Sequence, residues 1–326
     1  MKKKTVLILA VVLALAVGLL AGCGNSTVDK ESAKNKAKSA AKSATQKAKK
    51  TAKNAATKAK KTAKKAKNAA KNKAKSVAKS VTDGSWRYVK KNGTLIVGLD
   101  DTFAPMGFKD KKGNLVGFDI DFARAVGKKL GVEVKFQSIN WNAKDANLKS
   151  KKIDCIWNGL SATPERAKSY SLSKEYLDNK LVVVTTDKKV KINKAADLAD
   201  YKIGTQADSA ALEAMQANAD YDKFKDNVKE YDSYDTAILD MKAGRIDCIV
   251  IDQVLATYKN TKLKEKLIEC KYNFGSDYYV IGFRKGDNAL TNKVNSAIKA
   301  LIDDGTAAKI SKEWFGKNIV IYKDYK

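Results

Sequence analysis

The chain has 326 residues, of which 44% are hydrophobic, so it is long enough for two ordinary domains with filled cores. Its formal net charge is +28, but residues 1–83 hold 22 Lys against three acidic residues, which leaves the remainder at only about +9. The chain has no histidine, which excludes Ser-His-Asp and Cys-His catalysis, HExxH sites and every other histidine-ligated metal.

The first 22 residues have the pattern of a secretory signal. A charged start over 1–4 precedes an apolar run over 6–20, which is too short for a permanent membrane span. The run ends in Leu20-Ala21-Gly22-Cys23, which resembles the lipobox of bacterial lipoproteins. This resemblance implies cleavage before Cys23, lipid on its sulfur and a mature protein anchored at the extracellular face of the cell membrane. The alternative is an uncleaved anchor helix with a chance cysteine.

Residues 23–83 form a low-complexity stalk of Lys, Ala, Ser, Asn and Thr that cannot bury a core. Alanine and lysine favour helix, while lysine repulsion and the lack of an apolar stripe oppose it, so the sequence leaves helix and disorder both open. We interpret the stalk as a spacer above the membrane. A second interpretation is attachment to anionic lipid or an anionic cell-wall polymer. Nucleic-acid binding fits the composition but conflicts with export, so no nucleic-acid partner is expected.

From residue 84 onwards, strand and helix signals alternate. Residues 94–99 predict a strand, 119–130 a helix with one apolar face, and 132–136 an alternating, half-buried strand. Helix signals then precede a strand at 153–157. This order predicts an α/β fold with a mostly parallel sheet.

The stretch 154–166 joins this last strand to a polar turn and a helix start. Gly159 permits a close backbone approach, Ser161 offers a hydroxyl, and Pro164 begins the helical turn that carries Arg166. An arginine beside hydroxyl and backbone N–H donors suits a small carboxylate. The alternative is an ordinary connection whose arginine is a solvated surface charge.

A second series of strands and helices follows, and part of it repeats the first. Residues 241–249 repeat the helix end, turn and strand of 148–156, and both copies contain Ile-Asp-Cys-Ile. The repeat predicts two similar lobes. The other predicted elements are strands at 181–186, 202–206, near 228, 248–251 and 278–284, and helices at 209–217, 236–243, 290–302 and 305–315. Two of these strands would cross between the lobes and leave a cleft.

Several motifs of the globular part occur together in one known family. They are Gly98 to Pro105, Gly117 to Asp121, Ile153-Asp154, Gly159 to Arg166, Gly244 to Asp247, Val250 to Asp252, and Asp304-Gly305 with Lys312 to Gly316. With these motifs, the chain resembles the polar amino-acid-binding proteins of ABC importers, family 3 of the bacterial extracellular solute-binding proteins. The resemblance implies a two-lobed Venus-flytrap fold that closes on one free L-amino acid. It also implies a monomer without cofactor, metal or catalysis, which docks on the permease subunits.

The lobes predicted in this way are 84–183 with 281–326 for lobe 1, and 184–280 for lobe 2. The resemblance assigns Arg166 to the ligand carboxylate and Asp252 to the α-ammonium. It assigns backbone or hydroxyl contacts at the ligand's two ends to Gly159 and Ser161. From the residues alone, Asp252 is equally consistent with a cap on the next helix.

The side chain of the ligand would lie among aromatic and polar residues. The resemblance places Phe103 and Trp141 on either side of it, with Asp100 and Asn158 tuning polarity. Without the resemblance, the two aromatic residues are more consistent with ordinary core packing.

The second lobe would contribute a loop from Gln206 to Ser209 that faces the anion. The family usually has glycine where this chain has Asp208, and this departure questions the close approach of that loop to the carboxylate.

The ligand itself is left open between two classes. Asp100 and Asp101 would favour a cationic side chain, whereas Trp141, Asn158 and Gln206 suit a neutral polar or cystine-like one. We favour the neutral polar class, with cystine included.

An alternative function is a carboxylate-processing enzyme, because a few relatives of this fold are dehydratases. Without histidine, its acid or base would be a carboxylate such as Glu175 or Asp208. Cys155 and Cys248 fall in different lobes, and a disulfide between Cys248 and Cys270 is left open.

Overall fold

The computed structural model describes residues 83–325. The predicted signal, Cys23 and nearly all of the stalk therefore lie outside the described residues. Within the described range, no helix combines the length and the apolar character needed to cross a membrane. The three cysteines in this range, Cys155, Cys248 and Cys270, carry free thiols.

Helices and strands alternate along most of the described range. The helices are α1 Ser85–Asn92, α2 Phe118–Leu130, α3 Lys144–Lys149, α4 Pro164–Ser169, α5 Ala210–Gln216, α6 Tyr221–Phe224, α7 Tyr234–Lys242, α8 Gln253–Leu263, α9 Asn288–Asp303 and α10 Thr306–Phe315. The strands are β1 Thr94–Leu99, β2 Thr102–Phe103, β3 Gly107–Lys109, β4 Leu115–Val116, β5 Glu133–Ser138, β6 Cys155–Ser161, β7 Tyr170–Leu172, β8 Glu175–Thr185, β9 Ile203–Gln206, β10 Val228–Tyr231, β11 Cys248–Asp252, β12 Ile268–Arg284 and β13 Val320–Lys323. Short 3₁₀ turns lie at Trp141–Ala143, Ala195–Asp200 and Lys225–Asn227.

One sheet of the described part passes through both lobes, in the order β10-β9-β11-β8-β12-β6-β1-β5. The outer strands of each lobe pair in parallel, β5 with β1 and β1 with β6 in lobe 1, and β10 with β9 and β9 with β11 in lobe 2. The long strands β8 and β12 pair antiparallel with each other in the middle. The two-lobed α/β fold with two crossing strands is thereby confirmed.

Helix α2 shows how the local sequence sets an element of lobe 1. Phe118, Phe122 and Val126 recur every fourth residue and are fully buried on one face. Asp119 and Asp121 lie in the first turn, where they complement the helix dipole. The helix ends at Gly131, whose φ of 65° is the left-handed conformation that glycine adopts without strain. The helix therefore begins and ends as its sequence predicts, within one residue.

The repeated sequence makes the same contact in each lobe. In lobe 1, the Asp154 carboxylate accepts the N–H of Ile96 at 2.9 Å, and the Asp154 N–H donates to the carbonyl of Ile96 at 2.7 Å. In lobe 2, the Asp247 carboxylate accepts the N–H of Lys202 at 2.7 Å, and the Asp247 N–H donates to its carbonyl at 2.8 Å. Each aspartate thus joins the start of one strand to the neighbouring parallel strand.

Three strands are longer than periodicity predicts. Strand β6 continues to Ser161 because Leu160 and Ser161 pair with β12, so the expected polar turn after Trp157 is instead strand. Strands β8 and β12 begin well before their apolar runs. Polar residues such as Asn179 and Asp277 lie inside these extensions, which conceals them from hydrophobic pattern reading.

Candidate ligand-binding site

All predicted ligand-binding residues except Asp100 line one cavity between the lobes. They are Phe103, Trp141, Asn158, Gly159, Ser161, Arg166, Gln206, Ser209 and Asp252, and they are joined by Ala210 and Tyr234. The cavity has a volume of about 10 Å³. That volume holds about one water molecule, so the cavity in this arrangement is too small for an amino acid.

Arg166 forms a buried cationic pole in lobe 1. Pro164 begins α4, and the Thr163 hydroxyl caps it by accepting the Arg166 N–H at 3.2 Å. The guanidinium donates through Nη1 to the Ser161 carbonyl at 3.1 Å, and its Nε lies 3.0 Å from the Glu213 carboxylate of lobe 2. Because Arg166 is 5% exposed, it is not a solvated surface charge.

Two buried carboxylates form an anionic pole opposite. Asp252 accepts hydrogen bonds from the Asn179 amide at 2.6 Å and the Tyr279 hydroxyl at 2.8 Å. The same amide nitrogen donates to Asp277 at 2.7 Å, and the Ser161 hydroxyl donates to Asp277 at 2.8 Å. Burial raises the pKa of both carboxyls, and the charge of Asp277 raises that of Asp252 further. Two close, desolvated carboxylates favour a cation beside them.

The position of Asp252 directly before α8 is that of a helix cap, but its side chain makes no capping hydrogen bond. Asp252 instead lines the cavity, and its carboxylate accepts hydrogen bonds from Asn179 and Tyr279. The arrangement therefore differs from the capping alternative that the sequence left open.

Gly159 allows the aromatic wall to approach. Its φ of 59° is left-handed, and a Cβ added to it would lie 2.7 Å from the Phe103 ring. The Phe103 ring lies 6.1 Å from that of Tyr234 across the cleft. Any larger residue at position 159 would displace Phe103.

The backbone N–H of Gly159 is engaged by Asp119. This carboxylate accepts from Gly159 at 2.8 Å, from Trp157 Nε1 at 3.2 Å and from the Tyr176 hydroxyl at 2.8 Å. Burial raises the pKa of Asp119 to about 7. A ligand contact from Gly159 is therefore left to its carbonyl, and Asp119 supports the central strand from behind.

Asn158, like Tyr234, is a cavity residue whose side chain carries an unpaired polar group among the described residues. It is 2% exposed, and neither its amide nitrogen nor its oxygen has a hydrogen-bond partner within the described part. A buried, unpaired amide is destabilising by about 1–3 kcal/mol for each lost bond. A ligand that carries both a donor and an acceptor would satisfy it.

The two acidic residues that would favour a cationic ligand are already paired. Asp100 accepts from Gln206 of lobe 2 at 2.8 Å and from the Thr102 hydroxyl at 2.6 Å, and burial raises its pKa. Asp101 lies outside the cavity, where it pairs with Lys109 at 2.6 Å. Neither presents a free carboxylate to the cavity.

The lobe 2 loop approaches lobe 1 closely despite its non-glycine residue. Asp208 has a φ of 55°, the left-handed conformation that glycine would supply, and its carbonyl lies 3.3 Å from Arg166 Nη2. Ser209 caps α5 by accepting the Leu212 N–H at 3.1 Å. The side chain at 208 therefore does not keep the loop from lobe 1, and the approach of the loop to a ligand carboxylate stays a prediction.

Sequence reasoning missed several residues of the site. Asn179, Asp277 and Tyr279 lie on the crossing strands, and Tyr234 begins α7. Asn179 and Asp277 gave little signal, because they precede the apolar runs from which the two strands were predicted.

Comparisons with known proteins agree with this geometry. Residues 95–317 match the bacterial extracellular solute-binding proteins, family 3. The L-cystine-binding protein TcyJ of Escherichia coli (strain K12) is 32% identical over 238 residues, which cover 73% of this chain and 88% of that protein. The L-cystine-binding protein TcyA of Bacillus subtilis (strain 168) is 32% identical over 242 residues, or 72% of this chain and 85% of that protein.

Among solved structures, an ABC uptake transporter substrate-binding protein from Streptococcus pneumoniae with bound histidine is similar, with a TM-score of 0.70 and 34% identity. The match covers 73% of this chain and 99% of that one. The resemblance carried by the sequence motifs is thus confirmed. The chain belongs to family 3 of the bacterial extracellular solute-binding proteins.

Proposed function

We propose that this protein is the substrate-binding component of an amino-acid ABC importer and that it captures a neutral polar L-amino acid, cystine included. It acts outside the cytoplasm, as members of its family do. Because the family and its named relatives serve transport, the dehydratase-like alternative is not supported. The captured amino acid is delivered to the transmembrane subunits of the permease.

The observation that carries this proposal is the pair of opposite poles on one cavity. Arg166 comes from lobe 1, and Asp252 comes from the end of β11 in lobe 2. A guanidinium holds a carboxylate through two parallel hydrogen bonds, and a buried carboxylate favours an ammonium. A free α-amino acid presents both groups on one carbon, so it satisfies both poles when the lobes close.

Asn158 and Asp100 support a neutral polar side chain. The unpaired Asn158 amide offers one donor and one acceptor, whereas the Asp100 carboxylate is engaged by Gln206. A cationic side chain would need Asp100 to be free. Cystine fits because its distal end carries both an ammonium and a carboxylate, and two relatives are named for binding it.

Capture requires movement of the lobes. The cavity volume of about 10 Å³ supports this, because it is too small for an amino acid. Contacts between the lobes, such as Gln206 with Asp100, must separate for access and form again around the ligand. Closure therefore couples ligand binding to a shape that the permease can recognise.

A panel of free L-amino acids and L-cystine tests this function by thermal shift on the full chain, followed by calorimetry. A ligand at 100 times its Kd adds about 2.7 kcal/mol to the free energy of unfolding. We expect the largest shift with cystine or another neutral polar amino acid. A largest shift with arginine or lysine would contradict the proposed ligand class, and no shift with any amino acid would contradict the function.

We further propose that lipid on Cys23 anchors the protein as a monomer, with 23–83 as a spacer. The motive is the charged, apolar leader that ends in Leu20-Ala21-Gly22-Cys23. Cys23→Ser should move the protein out of the detergent phase or leave its leader uncleaved, whereas Cys270→Ser should do neither. Unchanged partitioning and an unchanged mature mass of Cys23→Ser would rule out the anchor.

A further inference from the structure

Asp208 is the point of lobe 2 at which three side chains of lobe 1 converge. Its carbonyl oxygen accepts from Trp141 Nε1 at 3.2 Å, from Lys144 Nζ at 3.3 Å and from Arg166 Nη2 at 3.3 Å. Its carboxylate also forms an ion pair with Lys144. One residue thereby receives four polar contacts across the cleft.

Lys144 is buried, although it lies beside the cleft. Its side chain is 3% exposed, while that of Asp208 is 50% exposed. The ammonium lies 5.1 Å from the centre of the Trp141 ring, a favourable cation–π distance. The charged groups that act on it are Asp208 and Asp145, which favour its cationic form, and Arg166, which opposes it.

A buried ammonium requires an anionic partner. Burial and the charge of Arg166 lower the pKa of Lys144, and Asp208 offsets part of this effect. The lysine is on α3 of lobe 1, and the aspartate is between β9 and α5 of lobe 2. Opening the cleft therefore separates the ion pair and exposes both charges to water.

The backbone of Asp208 adds a second argument. A φ of 55° costs a residue with a side chain about 1 kcal/mol or more, and such conformations persist where surrounding contacts hold them. Glycine would give the same turn without strain and without a carboxylate. The aspartate keeps the turn and adds a charge that reaches lobe 1.

We propose that Lys144 and Asp208 form a latch between the lobes that sets how long a captured ligand remains bound. Neither Lys144 nor Asp208 lines the cavity, so the ion pair slows dissociation whatever the side chain of the ligand. The statement about ligand lifetime rests on the proposed function, whereas the contact between the lobes does not.

A double-mutant cycle tests the latch. Lys144→Met removes the charge and keeps an apolar side chain of similar length, and Asp208→Asn removes the charge with a residue that also tolerates the left-handed conformation. In a chase experiment with L-cystine, we expect each single variant to release the ligand roughly ten- to a hundredfold faster, with association nearly unchanged. The double variant should release it more slowly than the product of the two single effects predicts.

An ion pair inside one lobe provides the matched control. Lys223 and Asp220 lie 2.7 Å apart at the surface, and the contact described between their side chains lies within lobe 2. Lys223→Met and Asp220→Asn should therefore leave the dissociation rate within about twofold of the unmodified chain. Dissociation from both latch variants within the same limit would overturn the proposal.

Fluorine NMR separates the latch from the proposed function. With 5-fluorotryptophan in the chain and no added ligand, the Trp141 resonance, assigned by Trp141→Phe, reports the contact with Asp208. Asp208→Asn should shift or split this resonance, whereas Asp220→Asn should not. Lys144 itself contacts the Trp141 ring within lobe 1, so the lobe 2 partner is the one varied. If the unmodified chain binds no amino acid, the proposed function fails, and the fluorine comparison alone decides the latch: an unchanged Trp141 resonance in Asp208→Asn overturns it.

Discussion

The two copies of the repeated segment begin alike and end with opposite charges. In lobe 1, the copy enters β6, and in lobe 2 it enters β11, with the same aspartate joining each strand to its parallel neighbour. Strand β6 then continues along β12, and the chain turns into the short helix that carries Arg166. Strand β11 stops at Asp252, directly before α8.

This difference suits a ligand with two opposite charges, because the same repeated segment is followed by a cation in lobe 1 and by an anion in lobe 2. The shared half of each copy lies in the sheet and positions the carboxyl end of its strand at the cleft, where ligands bind in open α/β sheets. The residues after the shared half decide which charge each lobe presents. An amino acid has one cationic and one anionic group, so two lobes with the same ending could not bind both.

The largest effect on ligand affinity is expected from removing the positive charge that follows the lobe 1 copy, at Arg166. Arg166→Ala should weaken binding from about thirtyfold to a few thousandfold, because loss of one partner of a desolvated charge pair costs about 2–5 kcal/mol. Calorimetry measures the change, with Arg124→Ala as a control on the surface of lobe 1.

Asp252→Asn should weaken binding similarly. An amino acid amidated at its carboxylate should bind the unmodified chain poorly, with a much smaller loss for Arg166→Ala. Equal affinity of Arg166→Ala and the unmodified chain would refute the assignment of poles.

The two repeated aspartates, Asp154 and Asp247, should contribute differently to the free energy of unfolding, because their surroundings differ. Asp154, which is buried, also pairs with the partly buried Arg284 at 3.3 Å, whereas Asp247 is half-buried and has no cation of this kind among its described contacts. Asp154→Ala should lower the free energy of unfolding by about 3 kcal/mol and Asp247→Ala by about 1 kcal/mol. Denaturant unfolding compares them, and an equal or reversed loss would contradict this ranking.

The anionic ending should make binding depend on pH. Burial raises the pKa of Asp252 and Asp277, so both take up protons as pH falls towards 5.5, and a ligand ammonium then loses its partner. We expect affinity to fall about tenfold from pH 7.5 to 5.5. Without ligand, the sign is opposite: the native state binds these protons more tightly, so the stability from this pair declines as pH rises through the raised pKa values.

Titration calorimetry across this range measures the dependence, and a flat profile would exclude a protonated pair. The groups facing the two carboxyls are Asn179, Ser161 and Tyr279, with Arg166 further away. Asp277→Asn removes one carboxyl of the pair and should therefore flatten the profile.

The smallest effect is expected outside the two lobes. Both poles lie within 83–325, so deletion of 25–82 should leave affinity within experimental error while it changes retention at the cell surface. A tenfold loss of affinity after this deletion would mean that residues 25–82 contribute to ligand binding.

Pattern reading predicted most of the fold, and the family resemblance named most of the residues that line the cavity. Helix α2 and strand β1 were predicted almost to the residue, because their apolar spacing and end signals are local. The beginnings of β8 and β12 were missed because buried polar residues interrupt their apolar runs. The lobe boundaries and the roles of the site residues stay predictions.

By itself, the sequence determined the family, the two-lobed α/β class and the repeat, since motifs and periodicity are properties of neighbouring residues. The roles of Arg166 and Asp252 are what the resemblance implies, and they stay predictions. Only the tertiary structure decided which distant groups meet. Asn179 and Asp277 come together through the pairing of β8 with β12, and Lys144 reaches Asp208 only because the lobes face each other. Burial then changes the chemistry of these groups, because a carboxylate or ammonium removed from water depends on the few partners that the fold brings within reach.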